Sequence, residues 1–398
     1  MRKQKKSQIT MIMIIGLALF IIVSLVLYLS KSSLKKQSQQ GIKKTQETAI
    51  EAQPVQEFVA KCLDKLSKDA VVLLGRQGGY IYKSQGGTLV DYSDADEGLF
   101  FVKYQKDGND FKAAYNILPP RFIPGPPAYP WETFPCETKA CDKKPVFEWY
   151  FGINNIPPLI PSQGTNSIQS QIETFIDGNM QKCADFSFFE NRGLEIEMST
   201  AKTSVIIGTN DVSISSKIPI KITNRATGEA EEISDFSASL NLRIKELYYF
   251  ARDIAANDVK NIRFNISDLK NEKNSFRILL PKDALSKDDL ITITDDKSLV
   301  YGSPYQYTFS RRNRNPALYY IKNDVLEFPK NYEIKLSDLL GATELKAEDP
   351  DEDDLEFSVA PALPNNNPLL LPQQTFKIEV SDGILSDYQI ITVNRIES

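Results

Sequence analysis

The sequence predicts a multidomain α+β protein: an N-terminal transmembrane helix, an α+β domain that carries disulfides, a β-rich domain and a C-terminal β-sandwich. Three observations predict this fold class. An apolar run covers residues 9–30, two amphipathic helical patterns each carry a cysteine, and apolar residues often alternate with polar ones after residue 186. The chain has 398 residues. The part after the apolar run is long enough for roughly two or three domains.

The apolar run near the amino terminus predicts one membrane-spanning helix. From Ile9 to Leu29 there is no charged residue, and basic residues flank both ends. About 20 helical residues cross a bilayer core, because a continuous helix pairs its own backbone groups in lipid. We expect a tail at residues 1–8, a span at 9–30 and the lipid bilayer as partner. A cleaved signal peptide would have a shorter apolar core and a small-residue cleavage site. A pilin-type leader cut near Gln8 is the other alternative.

The cysteines indicate the compartment. The chain has 4 Cys and no His, and all four cysteines follow the apolar run. Zinc sites usually contain His or closely paired cysteines, so a zinc site is disfavoured. An even number of cysteines favours disulfides, which persist in oxidising compartments. We therefore expect a cytoplasmic amino terminus and an extracellular bulk, although basic residues on both sides of the span do not decide its orientation.

Helical phase predicts how the cysteines pair. Cys62 falls in the apolar pattern that includes Val59 and Leu66, and Cys183 follows a similar pattern that begins at Ile168. Packing these two apolar faces together predicts a Cys62–Cys183 disulfide and leaves Cys136–Cys141 to close a small loop. Four cysteines allow three connectivities, and two reduced buried thiols are the alternative.

Composition and turn signals divide the rest of the chain. We expect a polar stalk at residues 31–53, the α+β domain at 54–185, the β-rich domain at 186–315 and the β-sandwich at 316–398. In the first domain, the glycine-rich residues 74–80 predict a helix stop and the proline-rich residues 118–131 predict an extended loop.

The β-rich domain is predicted from alternation and one helical pattern. Apolar residues alternate at 194–198 and 218–222, and a 3.6-residue period at 240–254 predicts a helix. Further short strands are predicted near residues 262–266, 276–280, 290–294 and 305–309. Residues 311–315, with the sequence RRNRN, predict a polar linker.

The C-terminal eighty or so residues combine an acidic loop with strand patterns. Residues 347–359 read AEDPDEDDLEFSV, and residues 375–387 read TFKIEVSDGILSD. Leu355, Phe357 and Val359 alternate with polar neighbours, as a strand with one solvated face requires. This region resembles a cadherin-like or related immunoglobulin-like sandwich repeat, in which an acidic loop precedes one strand and an Asp-Gly turn precedes the last.

The same resemblance implies a calcium site. Six of the seven residues at 348–354 are carboxylates, and calcium takes six to eight oxygen ligands. A solvated acidic turn is the alternative, because a single shortened repeat shows too few ligands to fill that shell. The resemblance implies calcium ligands at Asp349, Asp351 and Asp382, with Glu352 and Asp354 as additional candidates.

Composition and missing motifs narrow the function. The net charge of -5 argues against nucleic acid as a partner, because phosphate binding needs a basic face. With no histidine in the chain, Ser-His-Asp and Cys-His catalytic arrangements are excluded. Asn265 begins an N-glycosylation acceptor sequence.

These inferences predict a membrane-anchored, extracytoplasmic surface protein that acts in adhesion or cell-envelope architecture and is not an enzyme. Other surface proteins or glycans are the expected partners. The stalk and the two cysteine-bearing helices also resemble those of uncharacterised single-pass surface proteins of archaea. A pilin-like filament subunit and an extracytoplasmic, carboxylate-dependent glycan hydrolase are the alternatives.

Overall fold

The fold is mixed α+β with many strands and a disulfide. The computed structural model describes residues 52–83, 87, 101–106, 108–120, 151–163, 166–269, 276–282, 286–343, 345–361 and 372–397. The predicted span at 9–30, the stalk up to residue 51 and the Cys136–Cys141 loop lie outside these ranges. Within them, no helix combines the length and apolar character that crossing a membrane requires.

The chain divides into two compact units. The first consists of residues 1–59, 186–198 and 220–233, and the second of residues 60–185, 199–219 and 234–398. In the first unit, the ring of Phe58 packs edge-on against Phe186 and Phe189, with centroids 6.0 and 5.6 Å apart. The candidate functional residues described below all belong to the second unit.

Two cysteine-bearing helices are joined by a disulfide. Helix α1 spans Ala52–Arg76 and helix α2 spans Ile168–Cys183. Cys62 and Cys183 form the predicted disulfide, with their Cα atoms 5.8 Å apart. Helix α1 stops at the predicted glycines, because Gly79 has a φ of +87° and its N–H donates to the Leu74 carbonyl at 2.9 Å. These two sequence predictions are confirmed.

The largest sheet draws its strands from two distant parts of the sequence. Strand β10 (Ser303–Arg311) runs parallel to β2 (Asn109–Leu118), pairing Ser310 with Tyr115. It runs antiparallel to β9 (Asp289–Val300). Segments 54–185 and 186–315, predicted as separate domains, therefore contribute to one sheet, with the order β1-β2-β10-β9-β8 and β3 beside β2. Its strands are β1 (Phe101–Lys106), β2 (Asn109–Leu118), β3 (Ile153–Asn154), β8 (Phe276–Leu279), β9 (Asp289–Val300) and β10 (Ser303–Arg311).

Helix α4, Ile244–Asp258, accompanies this sheet. Its Phe250 ring lies 5.4 Å from that of Phe276 on β8. At its start, Arg243 donates to Asp295 on β9. The strand predicted at 262–266 is wrong, because these residues form turns: Asn265 Oδ1 accepts from the Ser267 N–H, a local bond that competes with strand pairing.

A second sheet contains four strands with regular alternation. Its path is β4-β6-β5, and β7 also pairs with β6. The predicted alternation at 194–198 and 218–222 is confirmed, since Leu194, Ile218, Ile220 and Ile222 are buried. The elements here are α3 (Ser187–Glu190), β4 (Leu194–Met198), β5 (Lys202–Ile207), β6 (Val212–Asn224) and β7 (Ala230–Leu240).

The C-terminal region is built on a four-stranded sheet with the order β12-β16-β15-β14. Phe376, Ile378 and Ile391 are fully buried on its inner face, together with Leu318 and Leu339 from the elements that cover it. Among the described residues these covering elements are a two-stranded ladder and a short helix. The elements are β11 (Ala317–Leu318), β12 (Val325–Pro329), α5 (Leu336–Ala342), β13 (Ala347–Glu348), β14 (Glu356–Ala360), β15 (Gln373–Ser381) and β16 (Ser386–Ile396).

Candidate functional site

Two buried arginines lie where the large sheet meets the C-terminal region. Arg311 ends β10 and is 2% exposed, and Arg314 is 0% exposed. Residues 311–315 were predicted to form a polar linker, which is wrong for these two side chains. The reason is electrostatic: three buried carboxylates from different elements surround the two guanidinium groups, so their charges are paired inside the fold.

Arg311 contacts all three carboxylates. Its Nη1 donates to Asp258 Oδ1 at 2.7 Å, and its Nε donates to Asp289 Oδ2 at 2.7 Å. The same Nε lies 3.1 Å from Asp351 Oδ1. Asp258 is the last residue of α4, Asp289 is the first residue of β9, and Asp351 belongs to the acidic loop. One side chain thus joins three separate elements, which are distant in sequence.

Arg314 reinforces the contact with the acidic loop. Its Nη2 donates to Asp351 Oδ1 at 2.7 Å and to the Pro350 carbonyl at 2.7 Å, and it lies 2.9 Å from Asp258 Oδ2. Its backbone N–H donates to Asp351 Oδ2 at 2.6 Å, and its Nη1 donates to the Phe151 carbonyl at 3.0 Å. Both oxygens of the Asp351 carboxylate are therefore held by this one residue.

Burial and charge act against each other in this cluster. Burial raises the pKa of Asp289 to about 6, although the positive charge of Arg311 opposes the rise. Burial also acts to lower the pKa of Arg311, but the charges of Asp351, Asp258 and Asp289 outweigh it, and the pKa rises above its usual value. The pKa of Arg314 is raised by the same balance. Both arginines therefore stay charged at any physiological pH.

A second group of carboxylates lies in the acidic loop and in the turn between β15 and β16. Asp349, Asp353 and Asp382 each offer one oxygen, and these oxygens lie within 4.8 Å of one another. Asp349 is 8% exposed, Asp382 is 3% exposed and the Asp353 side chain is 7% exposed. We refer to these three residues as the acidic group.

Two oxygens of the acidic group and one amide oxygen beside it lack a hydrogen-bond donor among the described residues. Asp349 Oδ1 accepts from the N–H groups of Asp351 at 2.7 Å and Asp353 at 3.1 Å, whereas its Oδ2 has no such partner. Asp353 Oδ2 is likewise unpartnered, as is Oδ1 of Asn313, whose Nδ2 donates to Asp382 Oδ2 at 2.9 Å. Buried carboxylate and amide oxygens without a donor can act as ligands of a hard cation.

The raised pKa of Asp349 agrees with a site whose negative charges are only partly neutralised. Burial raises the pKa of this carboxyl to about 7, and the negative charge of Asp351 adds to the rise. A bound cation would reverse this shift, because a positive charge favours the ionised carboxylate.

Two lysines at the edge of the acidic group supply part of the missing charge. Lys282 Nζ donates to Asp353 Oδ1 at 2.7 Å and to the Asp351 carbonyl at 2.9 Å. Lys287 Nζ donates to the Asp382 carbonyl and lies 3.9 Å from Asp353 Oδ1. With water to complete the shell, the residues present fit a hard divalent cation, and these ammonium groups would compete with it.

The predicted calcium ligands lie in different surroundings in the structure. Asp349 and Asp382 come together as predicted, but Asp351 is held by the arginines instead. Glu352 and Asp354 are exposed and do not belong to the acidic group. The predicted glycosylation residue, Asn265, is half-buried in a turn.

Sequence reasoning missed Asp353 of the acidic group and the neighbouring Asn313, Lys282 and Lys287. Asp353 was passed over within a run of carboxylates, and nothing local marks it out from its neighbours. Asn313 and Lys282 come from outside the predicted sandwich, and only the tertiary fold brings them to the acidic group. The alternation of charge in RRNRN was the one available signal for Asn313, but a solvated linker has the same composition.

Comparisons with known proteins add little. No family model and no curated protein matches this chain. Among solved structures, a match is a protocadherin gamma B7 fragment that contains extracellular cadherin domains 1–4. It is 11% identical, the match covers 56% of this chain and 71% of that chain, and the TM-score is 0.15. A TM-score this low carries no argument about the fold or function of this chain.

Proposed function

We propose that this chain is a membrane-anchored surface protein that acts outside the cytoplasm, in adhesion or cell-envelope architecture. The observation that carries the proposal is the Cys62–Cys183 disulfide, which joins residues 121 positions apart. Disulfides of this kind form and persist in oxidising compartments and are rare in the cytosol. The apolar run at residues 9–30 would supply the anchor.

The buried arginines support an architectural role. Asp258, Asp289 and Asp351 come from three elements, and Arg311 contacts each of them inside the protein. Removing one partner of a buried ion pair costs about 3 to 5 kcal/mol, because the other charge is then left buried and unpaired, so these contacts fix which elements adjoin one another. A surface protein that holds a partner needs such fixed geometry between its parts. Other surface proteins or glycans are the proposed partners.

Protease treatment of intact cells tests the proposed location. The experiment uses the full chain with one tag before residue 1 and another after residue 398, and a cytoplasmic protein as the control. We expect added protease to remove the C-terminal tag while the N-terminal tag stays attached to a short, protected fragment. A C-terminal tag that is cut only after the cells are lysed would contradict the proposal.

We also propose that the acidic group binds calcium. Asp349 Oδ2 and Asp353 Oδ2 would provide ligands, Asp382 would provide a third carboxylate, and the Asn313 amide oxygen lies on the adjoining segment. The support is that these buried oxygens have no donor among the described residues. Calcium prefers such oxygens and accepts water in the remaining positions.

Thermal unfolding of the full chain in detergent tests the calcium proposal. We expect a higher unfolding midpoint in about 1 mM calcium than in a chelator, because a ligand that binds only the folded state stabilises it. Asp349→Asn should abolish the shift, and Asp354→Asn, an exposed carboxylate outside the acidic group, should preserve it. A midpoint that does not respond to calcium would contradict the proposal. A C-terminal fragment is unsuitable, because Asn313 and Lys282 precede it.

A further inference from the structure

We propose that Arg311 and Arg314 are permanent internal cations that hold the acidic loop against the end of the large sheet, so that this junction stays closed without any metal ion. The inference concerns the arginine cluster and is independent of the proposed calcium site and of the membrane anchor. We call the contact of these two arginines with Asp258, Asp289 and Asp351 the arginine latch.

The first argument is charge balance. Three carboxylates that are nearly inaccessible to solvent lie within ion-pair distance of the two guanidinium groups. Buried like charges repel one another strongly, because the interior screens them much less than water does. Two guanidinium groups reduce the formal charge of the latch from −3 to −1. Without them, the acidic loop would have to leave the junction or take up another cation.

The second argument is geometry. Each arginine contacts carboxylates of more than one element, and a planar guanidinium with five donors is suited to such a role. Nη2 of Arg314 lies 2.9 Å from Asp258 Oδ2 and 2.7 Å from Asp351 Oδ1, so it stands between the end of α4 and the acidic loop. A bridging metal ion would occupy the same kind of position between two carboxylates.

The third argument is permanence. A divalent cation dissociates when its concentration falls, whereas a guanidinium is part of the chain and keeps its proton at any physiological pH. The latch therefore makes the junction insensitive to chelators. If Arg314 is replaced by an apolar residue, Asp258 and Asp351 lose a shared counter-charge, and the vacated position should respond to added divalent cations.

Hydrogen exchange of the backbone amides of residue 349 and residues 351–354 tests the proposal in the full chain in detergent. All variants carry Asp382→Asn, which disables the acidic group and keeps the two proposals separable. With both arginines present, we expect equal protection in a chelator and in millimolar calcium. With Arg314→Met in a chelator, we expect exchange faster by on the order of a hundredfold. Added calcium should slow that exchange, and the matched control Arg312→Met, at the half-buried neighbour, should behave as the parent does.

Three outcomes would overturn the proposal. They are chelator-sensitive protection with both arginines present, protection that survives Arg314→Met, and fast exchange in Arg314→Met that calcium does not slow. The last result would show that the side chain acts through packing rather than charge. If the Met variant does not fold, Arg314→Lys keeps the charge, and we expect it to retain protection that a chelator does not alter. Chelator-sensitive protection in the Lys variant would then overturn the proposal.

Discussion

The ionisation of Asp387 should make the protein less stable as the pH rises. This carboxyl is 2% exposed at the start of β16, and its Oδ2 accepts from the Leu318 N–H at 2.7 Å. Burial raises its pKa from the ordinary value of 3.8 to about 7, despite the backbone donors that oppose the rise. The folded state therefore prefers the protonated form, whereas the unfolded chain ionises near pH 4.

The sign and size of the effect follow from this difference. The unfolded state releases its proton first, so stability is highest below about pH 4 and falls as the pH rises towards 7. A gap of about three between the two pKa values corresponds to roughly 4 kcal/mol, of which most is lost by pH 8. Asp387→Asn removes the titrating group and keeps an oxygen for the Leu318 N–H.

Urea unfolding of the full chain between pH 4 and 8 measures this effect. We expect Asp387→Asn to match the parent near pH 4 and to be more stable by up to roughly 4 kcal/mol at pH 8. Other buried carboxyls titrate in both proteins, so their contribution cancels in the difference. The exposed Asp354→Asn serves as the control and should track the parent. If Asp387→Asn is less stable than the parent at pH 8, the ionised carboxylate is stabilising and the reasoning is refuted.

Two further changes probe the fold around α1. Replacing Cys62 and Cys183 together by alanine should lower the free energy of unfolding by about 5 kcal/mol on the chain-entropy account, given their separation of 121 residues, and urea unfolding would show it. A loss below about 1 kcal/mol would contradict that account. Gly79→Ala should destabilise more than Gly108→Ala by roughly 1 to 3 kcal/mol. Both glycines have positive φ. A Cβ at Gly79 would lie 2.6 Å from the Tyr307 hydroxyl, whereas a Cβ at Gly108 would meet no described atom within 4 Å. Equal thermal unfolding midpoints for these two glycine variants would contradict this prediction.

Local sequence patterns predicted the helices, helix ends and strands that depend on residues close together in the chain. The helical phase around Cys62 and Cys183 favoured the pairing that the structure shows, because two amphipathic helices bury their apolar faces against a partner. The glycines after Leu74 predicted the end of α1, because a positive φ favours glycine there. Alternation likewise placed the strands that contain Ile220 and Phe357.

Long-range pairing was not visible in the sequence. The parallel contact between β2 and β10 joins Tyr115 and Ser310, and no local pattern records which strands become neighbours. The RRNRN segment shows the same limit, because a solvated linker and a buried ion-pair network can have the same amino-acid composition. Only the positions of Asp258 and Asp351 in the fold distinguish the two.

The sequence predicted only part of the candidate site, because the site also depends on contacts between residues that are distant in the chain. The run of carboxylates marked the acidic loop correctly, and the resemblance to sandwich repeats placed Asp382 beside Asp349. Asp351 pairs with the arginines whereas Asp353 belongs to the acidic group, and this difference depends on the conformation of the loop. Asp349 Oδ1 fixes that conformation by accepting the backbone N–H groups of both residues.

The redox state of Cys62 and Cys183 in freshly harvested cells tests the proposed location most directly. Cells would be lysed in an alkylating reagent that blocks reduced thiols, and the protein would be digested without reduction and mapped by mass spectrometry. The account predicts a linked pair of peptides that contain Cys62 and Cys183. Recovery of both cysteines in the alkylated form would contradict it, because a chain exposed to an oxidising exterior would not keep these two adjacent thiols reduced.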